Sequence, residues 1–268
     1  MRTLFALPHH ARLARPARLM LAALAVLLGL TACAPMPLAP STAAPAPAPA
    51  VLGTTPLRFE PAHKAQWEAW RLPGKRATEY RLMTHQGRAS LRAESQASAS
   101  MLRQRLQIPP EQLGTLSLSW QVERLLDGAD LSQAGRGDSP VRVVLAFDGD
   151  RSRWSPRQHM MAELARALTG EEMPYATLIY VWANHHAEGT VLNNARSDRV
   201  RKLVLDSGSA HLGQWRQHER DLRADFEQAF GEPPGALIGL ALMTDSDNTN
   251  TRARAWYGPI ELRPPAKR

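Results

Sequence analysis

Leu116-Ser117-Leu118-Ser119-Trp120-Gln121-Val122 alternates apolar and polar residues without a break. A period of two puts Leu116, Leu118, Trp120 and Val122 on one face of an extended chain and the polar residues on the other, as in a half-buried strand. Val141, Val143, Leu145 and Phe147 repeat the pattern. Thr177 to Trp182 is β-branched and aromatic, Val200 to Leu205 alternates, and Leu237 to Met243 is continuously apolar, as a central strand is. Shorter strand candidates lie at Glu79 to Met83, Ala89 to Ala93 and Trp256 to Leu262.

Two helices interrupt the strands. Ser155 and Pro156 suit an N-cap and first turn, and the periodicity predicts a helix to Leu168, stopped by Gly170. Met160, Met161, Leu164 and Leu168 form its expected buried face. A second helix is predicted from about Gln214 to Phe230, ended by Gly231 and Pro233, with Trp215, Leu222, Phe226 and Phe230 as its apolar stripe. Strands and helices do not alternate regularly, which disfavours a doubly wound parallel sheet. The expected fold is mainly β: a jelly-roll-like antiparallel β-sandwich with two helical insertions, spanning residues 57–264 as a single domain.

Residues 1–32 read as an address rather than as fold. Arg2, Arg12, Arg15 and Arg18 precede an apolar run from Leu19 to Leu30, with no acidic residue among them. That run is shorter than the roughly twenty helical residues a bilayer core requires, and it has the layout of a secretory signal peptide. Leu30-Thr31-Ala32-Cys33 resembles the bacterial lipobox, whose cysteine becomes acylated. Several acyl chains, palmitate among them, hold a protein firmly at a membrane without a spanning helix. Cys33 is the only cysteine, so the chain cannot form an intramolecular disulfide. Ala34 follows it, which by resemblance to proteobacterial lipoproteins points to the periplasmic side of the outer membrane. Residues 33–56 are rich in alanine and proline and read as an extended tether.

The chain carries a formal net charge of +8, and the signal segment holds four of the arginines, leaving about +4 on the rest. With both signs interspersed, so small an excess serves solubility and gives no nucleic-acid footprint.

Chemistry is harder to find. There is no glycine-rich phosphate loop, no G-x-S-x-G elbow and no H-E-x-x-H. Thr244-Asp245-Ser246-Asp247-Asn248-Thr249-Asn250 clusters the oxygen ligands that a hard cation such as Ca2+ takes, making Asp245, Asp247, Asn248 and Thr249 a candidate ion or ligand site. It is not an EF-hand loop, since Asn250 stands at the glycine position and Trp256 at the bidentate glutamate. The same residues also suit a strand-ending loop whose Asx side chains bond their own backbone. Glu219, Asp221 and Asp225 are candidate acid–base carboxylates, with Asp221 and Asp225 four apart on the expected helix, although interleaved arginines suit surface ion pairs equally. His185 and His186 follow a strand, where adjacent side chains point to opposite faces, so they read as solvated loop residues rather than as ligands of one metal. Seven tryptophans are many for this aromatic content. Trp120 and Trp215 sit on apolar stripes and read as core, while Trp70, Trp154 and Trp256, with Trp67, are candidates for an aromatic ligand platform.

Five segments resemble the bacterial domain-of-unknown-function 3047 family: Ala89 to Ser95, Gly137-Asp138 leading into Val141 to Phe147, Leu178 to Trp182, Leu212 to Trp215 with Glu219, Arg220 and Asp225, and Met243 to Thr249. Two departures stand out: Asn250 occupies a position usually held by glycine, and Ser139 replaces a second aspartate. The resemblance implies an envelope protein with a jelly-roll, carbohydrate-module-like fold, and supplies no activity or catalytic residue. The functional expectation is a non-catalytic binding module for an envelope glycan or partner protein. The competing readings are a hydrolase of envelope polysaccharide that uses paired carboxylates, and a structural assembly factor.

Overall fold

A computed structural model describes residues 48–51, 56–60, 63 and 67–266. The signal segment, Cys33 and most of the 33–56 tether lie outside the described residues. No helix among the described residues is long and apolar enough to cross a membrane.

The domain is a sandwich of two seven-stranded sheets. The first runs β1 (Leu57–Phe59), β14 (Ile260–Arg263), β6 (Thr115–Val122), β13 (Arg252–Tyr257), β4 (Arg88–Gln96) and β3 (Glu79–His85), with β11 (Arg216–Asp221) on the other edge of β6. The second runs β2 (Glu68–Arg71), β5 (Ala99–Ile108), β12 (Leu237–Asp245), β7 (Arg142–Phe147), β8 (Ala176–Ala183), β10 (Ser197–Ser207) and β9 (Val191–Asn194). The strand that decides the fold, β6, is central. β13 and β14 follow one another along one edge of it, and β11 pairs with the other. Leu237–Asp245 is likewise a central strand, as its apolar run predicts. One pair departs from the antiparallel expectation: β8 and β10 are parallel, because the chain returns through β9 before re-entering the sheet.

Trp120, Phe147, Tyr180, Trp182 and Tyr257 fill the space between the sheets and are at most 1% exposed. Burial of each neighbouring leucine, such as Leu116 or Leu118, contributes roughly 1.5–3 kcal/mol. Ala50, inside the segment read as tether, forms a backbone bridge alongside β5 through its amide to the Arg105 carbonyl, 2.9 Å.

The helices require two corrections. The first, α1 (Pro156–Thr169), has the expected Ser155 cap, completed by Gln158 into a capping box, and ends at Gly170. Its apolar face, however, is not buried: Met160 and Leu168 are each 63% exposed, and Met161 and Leu164 are exposed as well. The helix meets the core through Ala162 instead, and Met161 lines a cleft of about 340 Å3 together with Met173, Asn193, Arg196, Asp198 and Arg201.

The second helix, α2, spans only Leu222–Phe230; the residues before it form β11. Alternation explains the difference. Arg216, His218 and Arg220 point inward to buried carboxylates, while Gln217 and Glu219 point outward. The buried face of β11 is therefore cationic, and an apolar periodicity cannot reveal it.

Candidate functional site

β12 delivers Asp245 to one end of the sandwich, where the following loop folds back onto the Gly137–Asp138 turn. Asp245 accepts from Arg142 through Nε at 2.7 Å and Nη2 at 2.9 Å, and from the Ser139 amide at 3.0 Å. Asp138 accepts from the Asn248 side-chain amide at 2.6 Å and from the Thr249 amide and hydroxyl, each at 2.7 Å. Asp247 pairs with Lys75.

Oxygens of Asp138, Asp245 and Asp247 lie within 4.8 Å of one another. That donor set matches a hard cation in atom type. Arg142 and Lys75 already supply two positive charges to it, though, and Asn248 and Thr249 turn their donors rather than their lone pairs toward Asp138. A calcium ion would have to displace Lys75. The arrangement locks two loops together. Asn250 follows with a φ of 54°, the left-handed region that glycine adopts most readily and asparagine tolerates better than most residues.

The three carboxylates expected on one helix are separated. Glu219 is on the outer face of β11 and pairs with Arg263. Asp221 is the N-cap of α2, accepting from the amides of Arg223 and Ala224. Asp225 is buried, accepts from the Tyr180 hydroxyl at 2.7 Å and pairs with Arg220. Each is engaged by its own partner, and the geometry offers no pair flanking a bond.

The tryptophans are distributed likewise. Trp70 is in β2, with the Arg103 guanidinium 3.3 Å above its ring. Trp154 is buried and stacks parallel to Tyr175 at 6.2 Å. Trp256, flanked in β13 by the core residues Ala255 and Tyr257, points out of the opposite face of the first sheet. The three share no common platform.

On that outer face Trp256 has different company. His85, at the end of β3, stacks on it with ring centroids 3.9 Å apart and planes 6° from parallel. Trp215 lies 6.3 Å from the same imidazole, and Arg88 approaches the Trp215 ring. Gln121 is the β6 partner of Trp256 and donates to the Gly213 carbonyl, 2.6 Å, just before Trp215. Gly258 closes the group, since a Cβ there would stand 2.2 Å from the Ser119 hydroxyl oxygen and 3.6 Å from the Trp215 ring.

Four atoms of this cluster, His85 Nε2, Gln121 Oε1, Trp215 Nε1 and Trp256 Nε1, are buried with no hydrogen-bond partner. An unpaired buried polar group costs about 1–3 kcal/mol, so four beside one another mark a place short of partners. The cover is His85, on an edge strand whose residues are mostly exposed.

Further along the outer face of β13, Arg252 enters a cleft of about 470 Å3 lined also by Arg76, Arg124, Asp127 and Asn250. Among the described residues none of these three arginines makes an ion pair. Sequence reading singled out Trp256 but missed His85 and Gln121, and it placed Trp215 in a helical stripe. The one local signal was the parity of β6, which puts Gln121 opposite Trp120 and Val122.

A family model described as "Protein of unknown function (DUF3047)" matches residues 65–261. No curated protein matches the chain in sequence. Among solved structures, the glycoside hydrolase domain of Endo-D from Streptococcus pneumoniae R6 is similar at 10% identity and a TM-score of 0.30, over 74% of this chain but only 21% of that one. The xylan-binding module CBM86 from Roseburia intestinalis is similar at 8% identity and a TM-score of 0.31, over 79% of this chain and 97% of the module. Endoglucanase Cel12A from Rhodothermus marinus is similar at 9% identity and a TM-score of 0.40, over 79% of this chain and all of that one.

Proposed function

The chain belongs to the DUF3047 family of proteins of unknown function, and on that premise we propose that it is a non-catalytic β-sandwich that binds a glycan of the cell envelope. The observation behind this reading is the set of orphaned atoms among His85, Gln121, Trp215 and Trp256. Indole faces take the apolar face of a sugar ring, and unpaired N–H and C=O groups take its hydroxyls. A sugar entering the cluster replaces His85 on the Trp256 ring and supplies the missing partners. Arg252 is four residues along the same strand from Trp256, roughly 13 Å at the rise of an extended chain. The arginine cleft there favours a glycan that carries carboxylate or phosphate groups. The proposal also takes the domain to be exported and lipid-anchored through Cys33, so that it works on the periplasmic side of the outer membrane.

Screening the purified protein against arrays of acidic and neutral envelope glycans and peptidoglycan fragments tests the reading. Binding to an acidic glycan that falls at least ~10-fold in Trp256→Ala, equivalent to about 1.4 kcal/mol, supports it. His85→Ala, which uncovers the ring, should tighten binding. Failure to bind any envelope glycan, or binding that Trp256→Ala and Trp215→Ala leave unchanged, overturns it.

A further inference from the structure

β8 ends at Ala183, where the Gly208 amide bonds its carbonyl at 3.0 Å. The chain then bends, and the Asn184 side-chain amide ties the bend to the Leu126 carbonyl at 2.7 Å. His185 and His186 are therefore off the strand, and the alternation that would send them to opposite faces does not apply. Their ring centroids are 4.3 Å apart. Both face one carboxylate: Asp130 Oδ1 is 3.1 Å from His186 Nε2, and Oδ2 is 3.9 Å from His185 Nε2.

Asp130 is held in place from behind. Its Oδ1 accepts from the Ser132 amide at 2.9 Å and hydroxyl at 2.6 Å, and its Oδ2 accepts from Gln133 at 2.6 Å. Its own amide donates to the Arg136 carbonyl, and the buried Lys202 ammonium bonds the neighbouring Leu131 carbonyl at 2.7 Å. The Ser132 donors, with His186 and Gln133, hold the carboxyl far below its usual range, so it stays ionised.

We propose that Asp130, His185 and His186 form a site for a borderline divalent transition ion of the Zn2+ class, with three protein ligands and a coordination position open to solvent. Zinc–nitrogen and zinc–oxygen bonds of about 2.0–2.2 Å place tetrahedral ligand atoms about 3.3 Å apart. One ligand atom of each residue lies within 4.8 Å of the others, and the imidazole nitrogens stand 3.1 and 3.9 Å from different oxygens of the Asp130 carboxylate, so side-chain rotation has to draw them onto a common ion. Two imidazoles with one carboxylate suit zinc, copper or nickel rather than calcium or magnesium. Ser132 and Gln133 supply the outer hydrogen bonds that orient a ligating carboxylate. Openness follows from His185, whose side chain is 57% exposed, against 18% and 16% for His186 and Asp130. A plain His186–Asp130 hydrogen bond accounts for one histidine and leaves unexplained His185, whose Nε2 stands 3.9 Å from the same carboxylate. The site is independent of the proposed glycan cluster.

Isothermal titration of the metal-free full-length chain with Zn2+ tests the assignment, with Co2+ substitution read by its visible absorption. One equivalent should bind at this site. His185→Ala and His186→Ala should each weaken it by more than ~100-fold, and Ser132→Ala by ~10-fold, in line with the effects of losing outer-shell support. His185 is exposed, so its removal leaves the fold intact by circular dichroism. His211→Ala serves as a control and should leave the binding unchanged. Absence of Zn2+ binding, or binding whose stoichiometry and affinity survive the His185→Ala, His186→Ala double substitution, overturns the proposal.

Discussion

Removing the Asp206 carboxylate should be among the most costly single changes in the domain. Asp206, on β10 of the second sheet, is fully buried and accepts three hydrogen bonds from the first sheet. The donors are Trp120 Nε1 at 2.6 Å, Arg216 Nε at 2.7 Å and His218 Nε2 at 2.7 Å. In Asp206→Ala the indole N–H of Trp120, itself fully buried, loses its partner, at about 1–3 kcal/mol. Breaking a buried ion pair by deleting one member costs about 3–5 kcal/mol. The Arg216 side chain is 30% exposed and can turn partly to water, which recovers some of that. The net expectation is about 4 kcal/mol, or a drop in Tm of roughly 8–16 °C for a domain of this size. Asp206→Asn keeps one acceptor and should cost about 2–3 kcal/mol. Urea unfolding with an unchanged m-value reads both.

The pH dependence has a definite sign. Burial pushes the Asp206 carboxyl up, but His218, Trp120 and Arg216 together pull it further down, and the net position is below its ordinary value. A depressed carboxyl stabilises the fold above its unfolded pKa of about 3.9, and that stability is lost as pH falls through the folded value. The part of the wild-type advantage over Asp206→Ala that the carboxylate contributes should thus be fully present above about pH 4 and shrink below it. A loss under ~1 kcal/mol, within the range of ordinary surface changes, or a difference that persists undiminished into strong acid, would refute the clamp.

Asp225→Ala should cost about 3–5 kcal/mol by calorimetry, because it strands the Arg220 guanidinium and the buried Tyr180 hydroxyl; a stabilised variant would point instead to a strained functional carboxylate. Leu164→Lys, on the exposed face of α1, should change stability by less than ~0.5 kcal/mol in urea unfolding, and a larger loss would mean that the face is covered. Gly235→Ala should destabilise by at least ~1–3 kcal/mol, since its new methyl would stand 2.1 Å from the Asp148 backbone carbonyl oxygen. An unchanged urea midpoint would show that this backbone can give way.

Residues 116–122, 141–147, 177–182 and 237–243 could be read as strands because each buries apolar side chains, in alternation for a one-faced strand and continuously for a central one. β5 and β11 were not legible. In β5 the inward Leu102, Leu106 and Ile108 alternate with Met101, Arg103 and Arg105, but Gln104 interrupts the apolar face, and Arg103 and Arg105 are held by Glu68 and Glu171. β11 buries no apolar residue, and its period of two is written in Arg216, His218 and Arg220. A strand whose buried face answers buried carboxylates has no hydrophobic period to detect. The apolar face of α1 misleads in the opposite way, since periodicity predicts a helix correctly without fixing what packs against it.

The same physics decides which polar residues are available for chemistry. Asp138, Asp206, Asp225 and Asp245 are alike in sequence, and each is buried and hydrogen-bonded to donors on other elements. Asp206 is 86 residues from Trp120 and Asp138 is 111 from Thr249, so no local spacing can announce that these carboxylates are occupied. Occupied groups tie loops and sheets together and have little left for a ligand. What remains is found by subtraction. Among the described residues, His85, Gln121, Trp215 and Trp256 crowd four unmet hydrogen-bonding atoms into one cluster, and His185 directs an exposed imidazole at a carboxylate that His186 already touches. Unmet hydrogen bonds separate the first of these places from the acidic loop at Asp245, and two imidazoles gathered at one carboxylate, with no lysine or arginine among the described residues paired to it, separate the second.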